Sequence, residues 1–134
     1  MLNMGLENPI GSLSGGQRQA LTLLMATWRK PSMLLLDEHT AALDPRSADQ
    51  VISVTRQVIE RDELSALMVT HSMQQAASLG DRLLMVHRGK IVKDVEGESK
   101  RRLRPAELYR WFEELRRQEL LDESAAELLQ RQYV

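Results

Sequence analysis

Residues 33–38 read Met33-Leu34-Leu35-Leu36-Asp37-Glu38, four apolar side chains in a row closed by two carboxylates. A run this short, flanked by turn formers and an acidic pair, fits a strand buried on both faces of a parallel sheet. Upstream, Leu13-Ser14-Gly15-Gly16-Gln17 places a serine three residues before a glutamine, the spacing of a capping box, and predicts a helix running from after Leu13 toward Lys30. Pro31 stops it. Downstream, Asp44-Pro45 is a helix start, and Ala48, Val51, Ile52, Thr55, Val58 and Ile59 recur behind it at helical spacing, predicting one face packed on the sheet. Leu64 to Thr70 is a second buried-strand candidate, followed by Ser72 as the cap of a short helix that ends near Gly80. The succession strand, helix, strand, helix predicts the α/β class with a parallel sheet.

Arg82 to Val86 and Ile91 to Val95 flank the turn His87-Arg88-Gly89-Lys90 and predict a hairpin that carries the sheet to its edge. The composition changes after Gly97. Residues 98–134 hold eight acidic and eight basic side chains, with Leu108, Trp111, Phe112 and Leu115 on one helical face and Leu121, Ala125 and Leu128 on another. The expected organisation is therefore a globular part over residues 1–97 and a charged helical extension over 98–134. The basic run Lys100, Arg101, Arg102, Arg104 is short and flanked by Glu98 and Glu107, so it predicts solvated surface rather than a nucleic-acid or lipid site.

The whole chain has 134 residues, 43% hydrophobic and 28% charged, which suits one domain rather than a disordered tail. Eighteen basic against nineteen acidic residues give a net charge of −1, with no electrostatic pull toward nucleic acid. With no cysteine, there is no disulfide framework, thiolate nucleophile or cysteine-ligated zinc. No apolar run approaches the roughly 18 residues of a membrane span, and Met1 to Ile10 lack the basic start and apolar core of a secretion signal. Function is thus expected in local sites.

Three segments carry chemistry. The glycines of Ser14-Gly15-Gly16-Gln17 would let another molecule approach the backbone at a helix tip, where free amides favour an anion; the plain alternative is a helix cap. Asp37 and Glu38 fall at the C-terminal end of a strand, where open α/β sheets place ligands, and adjacent side chains there point to different sides. One carboxylate could then serve a magnesium shell while the other orients a water, as phosphoryl transfer requires. His71 follows the second strand, where an imidazole could reach a phosphate or hold a water.

In this order and spacing, the residues from about Leu13 to Val95 resemble the ATP-binding cassette ATPases that power ABC transporters. Leu13 to Gln17 is similar to the family's signature motif, Met33 to Glu38 to its Walker B strand and catalytic carboxylate, Ala41 to Asp44 to its D-loop, and His71 to its switch histidine. The resemblance implies a partial P-loop NTPase-like parallel sheet flanked by helices, and ATP with Mg2+ as cofactors. It further implies that Asp37 binds magnesium through water, Glu38 acts as general base or water-orienting residue, and His71 contacts the γ-phosphate. Ser14, Gly15, Gly16 and Gln17 would cap a nucleotide held by a second ATPase subunit packed head to tail, with Asp44 communicating across that interface. Separate transmembrane permease subunits would hold the chain at the cytoplasmic face of a membrane, in an importer-like arrangement.

Two departures qualify the resemblance. Position 39, usually proline in the family, is His39; the form Asp37-Glu38-His39-Thr40 looks most like bacterial importer ATPases for amino-acid-like solutes. The larger departure is that no Gly-x-x-x-x-Gly-Lys-Ser/Thr segment occurs, and Gly89-Lys90 lies in a hairpin with Leu84 and Ile91 at the wrong places. The chain thus looks like the C-terminal half of a cassette, and it is expected to hydrolyse no ATP alone and to expose apolar surface. A second reading makes it a non-catalytic pairing module that donates Leu13 to Gln17 in trans to a complete cassette. A transition-metal site built from Asp37, His39 and His71 explains fewer residues and lacks a compact ligand motif.

Overall fold

The computed structural model describes residues 9–133; the N-terminal stretch read above for a secretion signal lies, up to residue 8, outside the described residues. The chain divides between Thr70 and His71 into two compact units, each with its own core.

The first unit is built from α1 (Gly15–Ala26), β1 (Leu34–Asp37), α2 (Pro45–Asp62) and β2 (Ala66–Val69), preceded by a 3-10 turn at Ile10–Ser12. α1 opens on the predicted capping box: the Ser14 hydroxyl accepts from the Gln17 amide at 3.2 Å and the Gln17 side chain accepts from the Ser14 amide at 2.9 Å. It ends at Thr27, four residues before Pro31, where the buried Thr27 hydroxyl donates to the Leu23 carbonyl at 2.8 Å and closes the last turn. α2 starts where Asp44-Pro45 predicts and stops at Glu63, whose left-handed backbone (φ 50°) lets its amide return to Glu60 and Ile59.

β1 and β2 pair in parallel, from Leu34 opposite Ala66 to Asp37 opposite Val69. Leu34 and Leu36 point into a core with Leu23, Val54, Val58 and Leu64. The expectation that both faces of this strand are buried is corrected. The strand alternates buried and exposed, with Leu35 69% exposed and Leu67 and Val69 about half exposed on the neighbouring strand. α1 and α2 cover one face; among the described residues the other is bare apolar surface.

The second unit contains α3 (Met73–Ser78), β3 (Arg82–His87), β4 (Lys90–Glu96), α4 (Gly97–Arg101) and α5 (Pro105–Gln132). β3 and β4 form the predicted antiparallel hairpin, turning through Arg88 (φ 48°) and Gly89 (φ 74°), the double positive φ of a type I′ turn. The hairpin does not extend the parallel sheet as expected; the two strand pairs are separate two-stranded sheets. Its inward residues Leu83 and Met85 pack with Ala77, Leu103 and Leu108. Of the two faces read on the C-terminal helix, Leu108, Trp111, Phe112 and Leu115 join this core, whereas Leu121 and Leu128 are more than 60% exposed. Glu119 pins α5 to the hairpin turn by contacts with His87 and with Arg88, the latter at 2.7 Å. Lys100 departs from the solvated basic run: it is buried, with Nζ donating to the Ala77 carbonyl at 2.8 Å. That bond caps the C-terminal end of α3, and burial holds the Lys100 ammonium below its ordinary pKa.

Candidate functional site

The acid pair stands where the strand reading placed it. Asp37 is the last residue of β1 and its side chain is exposed. Glu38 steps off the strand with a left-handed backbone, φ 46°, unusual for a residue with a Cβ and costing about 1 kcal/mol or more. Its amide still donates to the Val69 carbonyl at 2.9 Å, and its carbonyl accepts from the Ala41 amide at 3.0 Å. The turn is thus fixed on both sides of a strained residue, and Glu38 stays half-buried rather than splayed into solvent.

The helix tips pack beside one another. Asp44 caps α2, its carboxylate accepting from the Ser47 amide at 3.1 Å, and hydrogen bonding from Ser47 holds its pKa below the usual carboxylate value. A Cβ on Gly16 would sit 3.0 Å from Ser47 Cβ, and one on Gly15 would sit 3.1 Å from Leu43 Cδ2. The Gly16 position is therefore required by packing within the chain: the start of α1 presses on the start of α2. This packing reason for glycine is neither the approaching ligand nor the plain helix cap read from the sequence. Ser14 and Gly15 remain exposed at the tip, while Gln17 is half-buried in the capping box. The first-turn amides of Gly15 and Gly16 lie at the positive end of the helix.

His39, the departure from the family's proline, is half-buried with Nε2 3.1 Å from the Thr55 hydroxyl, and burial holds its pKa below the ordinary histidine value. His71 opens the second unit, exposed, immediately before Ser72, which caps α3 by accepting from the Gln75 amide at 3.2 Å. Among the described residues, no group of three or more His, Asp or Glu side chains is arranged to hold a metal ion. Asp37 brings hard oxygen donors of the kind Mg2+ takes, but alone it falls far short of six ligands and would suit the ion only as one contributor among several. No helix among the described residues is long and apolar enough to cross a membrane.

Comparison with known proteins gives these elements their context. The family model described as ABC transporter matches residues 2–41, from ahead of the α1 cap through the acid pair. The chain is a partial ATPase domain of the ATP-binding cassette family. It is 44% identical over 108 residues to the tyrosine transport ATP-binding protein of Clostridioides difficile (strain R20291), a match covering 81% of this chain and 43% of that protein. A methionine import ATP-binding protein of Rhodopseudomonas palustris is 40% identical over 82 residues, 61% of this chain and 22% of its own length. A phosphonates import ATP-binding protein of Nostoc sp. is 38% identical over 85 residues, 63% of this chain and 32% of its own length. The chain thus spans less than half the length of each of these relatives.

Proposed function

We propose that this chain supplies part of the ATP-hydrolysing subunit of an ABC importer, with its two strands belonging to a larger parallel P-loop-type sheet. The observation that carries the reading is the turn after β1: two carboxylates at the C-terminal end of a parallel strand, the second held in a left-handed conformation by bonds on either side. MgATP, when bound, would supply the reacting phosphoryl group. Asp37 would hold a magnesium-bound water, Glu38 would orient and deprotonate the attacking water, and His71 would donate to the γ-phosphate. Ser14, Gly15, Gly16 and Gln17 would present the α1 tip to a nucleotide bound by a second ATPase subunit, and Asp44, at the adjoining tip of α2, would transmit that contact. The bare face of β1 and β2 supports the incomplete-sheet reading, since parallel sheets are ordinarily covered on both sides. The relatives named as import ATP-binding proteins support separate permease subunits, a cytoplasmic membrane-face location and, through the tyrosine transport protein, an amino-acid-like solute.

The chain alone lacks a phosphate-cradling loop and is expected to show no turnover with MgATP. Joined to the part of the Clostridioides difficile relative that it does not match, it is expected to hydrolyse ATP; a joined protein that folds but neither binds nor hydrolyses ATP would refute the reading. The second reading, a non-catalytic module donating residues 13–17 in trans, is favoured by the exposed Ser14 and Gly15 at the α1 tip. It predicts nucleotide-dependent association of the unaltered chain with a complete cassette.

A further inference from the structure

His39 follows the strained Glu38, and its Nε2 lies 3.1 Å from Thr55 Oγ1 on α2. The Thr55 hydroxyl has a single proton, and it is committed to the Val51 carbonyl at 2.7 Å. The oxygen therefore faces His39 as an acceptor, and the ring must carry its proton on Nε2. Thr55 is only 1% exposed, so the imidazole is anchored on one of the most enclosed side chains of the first unit. Backbone bonds also restrain the turn, among them the Glu38 amide on Val69 and the Ala41 amide on Glu38. The His39 side chain adds a bond to a different element, α2.

We propose that His39 is a positioning residue for Glu38: as the Nε2–H tautomer it tethers the turn after β1 to Thr55 and holds the left-handed backbone from which the Glu38 carboxylate projects. The functional weight of the tether rests on Glu38 being the water-orienting carboxylate. A proline at position 39, the residue expected there from the family resemblance, would fix its own φ and bias Glu38 toward extended backbone. His39 leaves Glu38 free to be left-handed and restrains it by a side-chain bond instead.

NMR on the 15N-labelled chain tests this without nucleotide, so its outcome is independent of whether Glu38 acts on a water. Long-range nitrogen–proton correlations are expected to show His39 as the Nε2–H tautomer, and Thr55→Val is expected to convert it to a mixture. His39→Ala and Thr55→Val should speed amide exchange at Glu38 about tenfold, the size of one lost hydrogen bond. His39→Gln, whose amide nitrogen reaches as far as Nε2, should keep exchange at the unsubstituted rate, and Thr27 on α1 should be unaffected throughout. An Nδ1–H tautomer in the unsubstituted chain, or Glu38 exchange equal in His39→Ala and the unsubstituted chain, would overturn the proposal. If Thr55→Val loosens α2 as a whole, the His39 pair decides alone: equal exchange at Glu38 in His39→Ala and His39→Gln overturns it.

Discussion

Replacing Gly16 by alanine tests whether this glycine serves packing inside the chain. The added methyl would lie 3.0 Å from Ser47 Cβ, 3.4 Å from its Oγ and 3.7 Å from its Cα. Carbon pairs rest at about 3.5–4.0 Å, so the α1 tip must retreat from α2 by about half an ångström. Overpacking of this kind costs about 1–3 kcal/mol, while exchanging glycine for alanine in a helix returns about 0.5–1 kcal/mol. The expected net is a destabilisation of about 1 kcal/mol, or a Tm lowered by about 2–4 °C for a chain of this size. Gly15→Ala is the control: its methyl meets only Leu43 Cδ2, the end of a flexible side chain, and stability should change little. Ser47→Gly in the Gly16→Ala background should restore most of the loss, giving a coupling of about 1 kcal/mol. Urea titrations followed by far-UV circular dichroism measure these three variants, with Ser47→Gly alone and the unsubstituted chain completing the cycle. Gly16→Ala as stable as the unsubstituted chain, or no rescue by Ser47→Gly, would show that α1 and α2 do not meet there.

Three further outcomes are expected. Asp44→Ala should destabilise α2 at neutral pH, and because the folded Asp44 pKa is lowered, the cap's contribution is present above the ordinary carboxylate pKa and lost as pH falls through the folded value. The stability gap between the two proteins, measured by urea titration from pH 6 downward, should therefore narrow below about pH 4. Leu108→Ala, at a side chain 1% exposed, should cost about 3 kcal/mol in the same assay. Lys100→Ala should cost about 2 kcal/mol through the lost bond to Ala77, whereas Arg101→Ala, on the same short helix but exposed, should change little; equal effects would contradict the buried cap.

The elements legible in the sequence were those whose signals are local. The Ser14-Gln17 box, the Asp44-Pro45 start, the Ser72 cap and the Arg88-Gly89 turn all act within four residues, and each appears where it was read. The apolar run of β1 was read as two-sided because its four residues are all hydrophobic, but which faces are covered depends on how many elements pack around a strand, and composition does not say. The same holds for the hairpin: alternation revealed its strands, not the sheet they would join. Lys100 was read with its basic neighbours because sequence gives a lysine its charge and not the α3 carbonyl it caps. Val54, buried beside the predicted face of α2, was missed since the chosen stripe ran one position to its side. Asp37 and Glu38 lie at the end of β1 and Asp44 at the cap of α2, as the apolar run and the Asp44-Pro45 pair predict. The Gly16–Ser47 contact and the His39–Thr55 bond join residues 31 and 16 positions apart, and no local pattern signals either.

The proposed role of Glu38, presented by a left-handed turn at the end of a parallel strand, is to work on the water that attacks ATP. Its most direct measurement is the steady-state ATP hydrolysis rate of this chain joined to the remainder of the Clostridioides difficile relative, with and without Glu38→Gln. The substitution is expected to leave nucleotide binding intact and to lower kcat by about 100-fold or more. A Glu38→Gln protein that hydrolyses ATP within a factor of about two of its parent would contradict it, since loss of a general base ordinarily removes a far larger share of the rate.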